Sequence, residues 1–300
     1  MIAASGSFAS GSGDGGSRRL RAVLAADRDE LLAALPALQR LRPRAVHRTR
    51  VLARRMRAML RVYAPAFDRT RARRARRVLK ELARALEACR EADVREALFG
   101  EIMAADQAGS SAMPALLDAR LAQCRAEARR AAARWLASAE PGHGLRDALR
   151  RLEVVDDLPA CWLLERLACR ARVLEQRLDR SRGDRGLHRV RLAVKSLRYA
   201  LAPLEDLAPA TGQRLQQRLR VAQQRLGEQH DASLALAWLE TEPRTRRALA
   251  RGIRRRLAAR EHVARRAARH AAQRIGPAWH QWHAEARAIT AEPSDRPGRA

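Results

Sequence analysis

The sequence predicts an all-α protein: two helical bundles of about four helices each, related by an internal duplication and a pseudo-twofold, with a basic groove or pore between them. Three observations predict it. Alanine and leucine dominate while aromatic residues make up only 3% of the chain, a mixture that favours helix over strand. No stretch alternates apolar and polar residues as a half-buried strand does. A basic stretch beginning at His47 also recurs, head for head, from His188.

Proline and glycine divide the chain into its elements. Residues 1–17, Ser/Gly-rich ("ASGSFASGSGDGGS"), have neither a basic start nor an apolar run and read as a disordered leader rather than a signal peptide. A helix over 18–41 follows, with Pro36 marking a kink near its end. Pro43 opens the next helix, where its missing N–H costs little, and Pro65 stops it. An arginine-studded segment runs from Asp68 to about Arg90, then a shorter one to Asp106. "AGSSAMP" is a loop before a helix from Pro114 to Ala139. "EPGHG" (Glu140–Gly144) is the clearest interior break, dividing a first helical half (18–140) from a second (145–291). Helices are expected near 145–180, 187–208, 211–228, 230–241, 244–275 and 277–291, before a disordered tail over 292–300.

No apolar stretch reaches membrane-spanning length, so a soluble, cytoplasmic protein is expected. Cys89, Cys124, Cys161 and Cys169 show no CxxC spacing and are too few for a disulfide framework, which reads as buried free thiols. Lysine and arginine number 61 against 33 acids, a net charge of +28. Only Lys80 and Lys195 are lysines, so a general bias toward arginine accounts for part of the excess. The excess implies strong self-repulsion unless a polyanion is nearby: nucleic acid, an anionic membrane or a phosphate polymer.

Order along the chain says more than the total. In "AVHRTRVLARRMRAMLRVYAP" (Ala45–Pro65), His47, Arg50, Arg54, Arg57 and Arg61 recur every three or four residues, on one helical face. Leu52, Met56, Met59 or Leu60, and Tyr63 lie opposite and supply the packing. The row spans about 21 Å at 1.5 Å per residue, and like charges one turn apart are mildly destabilising. Such a row fits a long, densely charged anion better than a protein partner. In the second copy His188, Arg191, Lys195 and Arg198 take the places of His47, Arg50, Arg54 and Arg57, with Arg189 on Arg48. Leu187, Val194, Leu197, Leu201 and Leu204 are its apolar side. "LEACREADV" and "LGEQHDASL" pair likewise, setting Arg90 on His230 and Glu91 on Asp231. A unit this long points to a duplication rather than a solenoid.

These motifs resemble the CHAD family, the conserved histidine α-helical domains. Its "VHxxRVxxRRxRAxLRxF" helix is matched by "VHRTRVLARRMRAMLRVY", its "LHxxRxxxKxLRYxLE" by "LHRVRLAVKSLRYALA", and its "LGxxHDA" by "LGEQHDA". The resemblance covers about residues 19–285. It implies two helical bundles and a basic surface that binds inorganic polyphosphate, in some members at polyphosphate granules. It also implies a stand-alone module, since the triphosphate-hydrolysing or cyclase-type domains fused to some members have no counterpart here. The acidic position after the second motif tyrosine is replaced in "RYALAP", which removes no basic head. Carried over, the polyphosphate-binding candidates are His47, Arg50, Arg54, Arg57 and Arg61 with His188, Arg191, Lys195 and Arg198. Arg48, Arg55 and Arg189, on adjoining faces, and Arg90 and His230 are secondary. Guanidinium forks grip phosphate oxygens bidentately and imidazole can donate to them.

His280 and His283 in "AWHQWH" have metal-compatible spacing, but no third ligand is near and the flanking tryptophans suggest a packed helix. Glu91, Asp93 and Asp231 fit acids that orient arginines better than a catalytic pair. Without a Walker loop, nucleophile elbow or HExxH, the sequence predicts no enzyme, no metal and no cofactor. The alternative is binding to the RNA or DNA backbone, which charge supports. The scarcity of stacking aromatics, with Tyr63 and Tyr199 alone in the motif helices, argues against it.

Overall fold

Capping chemistry and apolar spacing set the helices. The computed structural model describes residues 15–104, 112–138, 140–155, 157–241 and 251–291. In chain order the helices are α1 (Gly15–Leu38), α2 (Pro43–Val62), α3 (Arg69–Ala85), α4 (Glu87–Ala104), α5 (Ala112–Ala137), α6 (Glu140–Arg150), α7 (Ala160–Asp179), α8 (Gly183–Ala200), α9 (Pro209–Thr241), α10 (Arg251–Gln273) and α11 (Ile275–Thr290). Among the described residues there is no β-strand, only one antiparallel bridge between Phe67 and Val154. No described helix is long and apolar enough to cross a membrane.

Both motif helices end alike. Pro43 sits at the start of α2, and the Tyr63 N–H closes its last turn on the Met59 carbonyl. A 3-10 turn, Ala64–Ala66, follows with Pro65 at its second residue. Helix α8 closes with the Leu201 N–H on Leu197 and runs into a matching turn, Ala202–Leu204, around Pro203. Where a new helix follows the first turn, the Asp68 carboxylate accepts from the Arg71 N–H at 2.8 Å and caps α3.

The expected apolar sides are buried: Leu52, Met56, Met59, Leu60 and Tyr63 on α2, and Leu187, Val194, Leu197, Leu201 and Leu204 on and beyond α8. They join one large cluster reaching from Leu20 to Ala286. A second cluster unites Leu98, Phe99 and Ile102 of α4 and Leu117 and Leu121 of α5 with Ala235, Leu239, Ile253 and Leu257 of α9 and α10. Each cluster draws on residues from both sides of residue 140, so burial ties the two portions of the chain together.

Several boundaries differ from the sequence reading. Gly15, Gly16 and Ser17 belong to α1, not to a leader. A Cβ on Gly16 would lie 2.4 Å from the Leu158 carbonyl oxygen, so only glycine lets the chain approach so closely. The Ser17 hydroxyl donates to Val155 O at 2.8 Å and accepts from the Leu158 N–H at 2.9 Å. Residues 1–14, the "AGSSAMP" loop up to Ser111, and 292–300 lie outside the described residues. The arginine-rich segment breaks at Leu86, not Arg90. "EPGHG" is not a break: it forms the start of α6, because proline in a first turn gives up no needed hydrogen bond. The real interruption after it lies between α6 and α7, where residues 152–155 and 157–159 are non-helical. The segments expected at 211–228 and 230–241 are one helix, α9, passing through Gln229, which is buried. Of the cysteines only Cys89 is buried. Cys161 and Cys169 are exposed because the inward stripe of α7 is Leu163, Leu164, Leu167, Ala171 and Leu174.

Candidate anion-binding site

Helices α2, α4, α8 and α9 surround a cavity of about 420 Å³. From α2 it is lined by His47, Arg50 and Arg54, from α8 by Arg191 and Lys195, from α4 by Arg90 and Glu91, and from α9 by His230 and Asp231. Parts of the two rows read from the sequence, His47, Arg50 and Arg54 with Arg191 and Lys195, therefore line one cavity, with His188 outside its lining, and the two matched stretches around Arg90 and His230 supply its other walls. The spacing explains this: three- and four-residue steps keep each row on the side of its helix opposite the buried leucines.

The cations differ in how they are held. Arg50 is buried, donating to Ala83 O at 2.5 Å and to Glu87 Oε1 at 3.2 Å, so this head has protein partners. Arg54, Arg90, Arg191 and Lys195 have no carboxylate within ion-pair distance among the described residues. The Arg191 Nε is buried with no hydrogen-bond partner. Lys195 is 7% exposed. Burial first, then Arg191 and Arg54, push its ammonium down to about 6, with Asp231 opposing. Burial raises the Asp231 carboxyl despite Arg191 and Arg90. Both groups are thus driven toward their neutral forms.

The imidazoles follow the same rule. Burial and then Arg90, Arg50 and Arg54 lower His47. Burial, Arg191 and Lys195 lower His188, whose ring lies 5.0 Å from that of His230. His230 is pushed down to about 4, by burial ahead of Arg191 and His188. Burial and neighbouring cations thus lower Lys195, His47, His188 and His230 together.

The decisive comparison is with family models: that of the CHAD domain matches residues 22–240. The chain belongs to the CHAD family. As a CHAD protein it is similar in structure to PptA from Streptomyces chartreusis, with a TM-score of 0.67 and 22% sequence identity over 90% of this chain and 100% of that one. It is similar also to the CHAD domain from the plant Ricinus communis, with a TM-score of 0.61 and 19% identity over 94% of each chain. At these identities the likeness concerns the fold. Comparison with curated protein sequences gives no match.

The other candidate positions in the CHAD motifs lie outside the cavity. Arg198 braces its rim, donating to Gln223 Oε1 at 2.9 Å and lying 4.9 Å over the Tyr199 ring. Arg57 and Arg61 carry the α2 row beyond it. Arg48 turns away to Glu30 at 2.7 Å, and Arg55 forms a two-pronged pair with the buried Asp27 of α1. Arg189 is exposed and offers its carbonyl to Arg177 at 3.1 Å. Asp93 faces Arg129 at 3.6 Å. His280 pairs with Glu175 at 3.2 Å while His283 stacks on Trp279, so those two histidines have separate surroundings. The sequence reading missed Arg95, Gln223, Gln224 and Glu228 in the cavity wall. Their signal was position: Arg95 is one helical turn past Glu91, and Gln224 and Glu228 precede Asp231 at helical spacing.

Proposed function

We propose that this CHAD protein binds inorganic polyphosphate in the cavity between α2, α4, α8 and α9, as a binding protein rather than an enzyme, at polyphosphate granules in the cytoplasm. One observation carries the reading: Arg54 from one motif helix and Arg191 and Lys195 from the other converge on a single cavity with no carboxylate paired to them. Arg50 and Glu87 fix the frame within which those free heads are presented. A chain of phosphates supplies oxygens at regular intervals and would neutralise several heads at once. The matched placement of the two rows supports their origin by duplication, each copy contributing one side of the grip.

A nucleic-acid backbone offers similar charge, but the two tyrosines of the motif helices present little ring surface for stacking a base, and Arg198 already lies over the one that lines the cavity, Tyr199. Tyr63 is fully buried and Tyr199 is 4% exposed. Competition between long-chain polyphosphate, RNA and duplex DNA at one salt concentration tests the reading. Polyphosphate should displace both nucleic acids; displacement of polyphosphate by either at equal phosphate concentration overturns it.

A further inference from the structure

Beyond Arg54 the α2 row leaves the cavity and enters a second group of arginines. Arg57 is acted on by Arg61 and Arg54 of its own helix and by Arg76 and Arg84 of α3. Arg170 of α7 is acted on by Arg61, Arg166 and Arg177. Arg57 and Arg170 are half-buried, and among the described residues none of Arg57, Arg61, Arg76, Arg84 or Arg170 has a carboxylate within ion-pair distance.

Some surface arginines elsewhere have acidic partners. Arg71 reaches Glu153 at 2.5 Å, Arg74 reaches Asp147 at 2.9 Å, and Arg260 reaches Glu101 at 2.6 Å. Arg76 and Arg84 lie on the side of α3 turned away from Arg71 and Arg74; Arg77 beside them meets Glu81 at 4.0 Å, while Arg76 and Arg84 have no carboxylate within ion-pair distance among the described residues. From Arg54 to Arg61 the strip climbs about 10 Å along α2 at 1.5 Å per residue. Arg170 then extends it on α7. Arg166 is braced at this end, its Nε donating to Val62 O at 3.3 Å and its guanidinium lying 5.8 Å over Trp162.

We propose that this α3–α2–α7 strip is a track for the part of a long polyphosphate chain that lies outside the cavity, and that Arg76, Arg84 and Arg170 thereby set a preference for long chains over short ones. The proposal rests on the reading of the cavity as a polyphosphate site. A short chain fills the cavity and gains nothing from the track. A long one held in the cavity presents its remaining phosphates to the strip at high effective concentration.

The test compares the parent with Arg76→Ala/Arg84→Ala/Arg170→Ala, using inorganic tripolyphosphate and long-chain polyphosphate. The triple variant should lose about tenfold or more in long-chain affinity, with tripolyphosphate affinity changed by less than about twofold. Its salt slope for the long chain should fall by roughly two to three. Unchanged long-chain affinity, or an equal loss for both ligands, overturns the track. Arg170→Gln alone should lower the long-chain salt slope by about one, and an unchanged slope overturns it even if the triple variant folds poorly. Arg54→Ala/Arg191→Ala should weaken both ligands. A parent that binds neither ligand overturns the cavity reading itself, and the track with it.

Discussion

The Tyr63 hydroxyl donates to the Ala200 carbonyl at 2.5 Å, pinning the last turns of α2 and α8 to each other inside the core. The bond fixes the spacing of the two motif helices at this end. Burial raises the Tyr63 phenol well above its ordinary range, so it stays a donor. Tyr63→Phe leaves the Ala200 carbonyl unsatisfied and should cost about 1–3 kcal/mol of stability, measured by denaturant unfolding. An unchanged midpoint would show that the pin is dispensable.

Arg50 and Arg54 lie one turn apart and should answer substitution differently. Arg50→Ala removes the partner of Ala83 O and Glu87 and should lower stability by about 1–3 kcal/mol. Arg54→Ala removes an unpaired charge and should leave the thermal midpoint unchanged or raised while weakening polyphosphate binding. If Arg54→Ala binds as the parent does, the cavity is not where the anion lies.

The pH dependence follows from Lys195. It titrates at about 6 in the folded protein against an ordinary 10.5, so between those values the unfolded chain carries a proton that the folded one lacks. The free protein therefore gains stability from this residue as pH rises from about 6 toward about 10.5. A polyanion beside Arg191, Arg54, Arg50 and Asp231 raises Lys195 and draws a proton in on binding. Affinity should accordingly increase from about pH 8 to about pH 6, with the lowered His47 and His188 adding to the rise as pH falls further. Lys195→Met should flatten the upper part of this profile, whereas His47→Gln/His188→Gln should flatten only the lower part. A profile that survives in Lys195→Met assigns the proton elsewhere.

Counterion release gives the last prediction. The logarithm of polyphosphate affinity should fall linearly with the logarithm of salt concentration, steeply, because several phosphates are neutralised together. Titrations at four or five salt concentrations would measure it. A nearly flat response would sink the polyanion reading.

The sequence carried the helical class and the alignment of each basic row on one helical face because both depend on local periodicity; that the rows face one cavity comes from the packing of α2 against α8. Three- and four-residue steps place Arg54 and Arg191 opposite Met56 and Ala193 whatever the tertiary fold. What was not legible depends on partners distant in the chain. Arg48 and Arg55 belong to the same basic run, yet Glu30 and Asp27 of α1 claim them. Arg50 lines the cavity with the rest of its row, but the carbonyl and carboxylate that α3 and α4 supply to it could not be read from that row. The misplaced break at "EPGHG" has a different cause: proline and glycine mark a loop or a first helical turn equally well, and only packing of α6 on α3 decides between them.

The unpaired heads Arg54, Arg90 and Arg191 crowd like charge around one cavity, and that tension has an evolutionary reading. Any neutral replacement there relieves repulsion, so selection for heat resistance alone would erode these positions first. On the polyphosphate reading, a lineage deprived of the polyanion would drift toward a sturdier, less charged cavity, and descendants that still carry the three arginines would hold a record of uninterrupted supply.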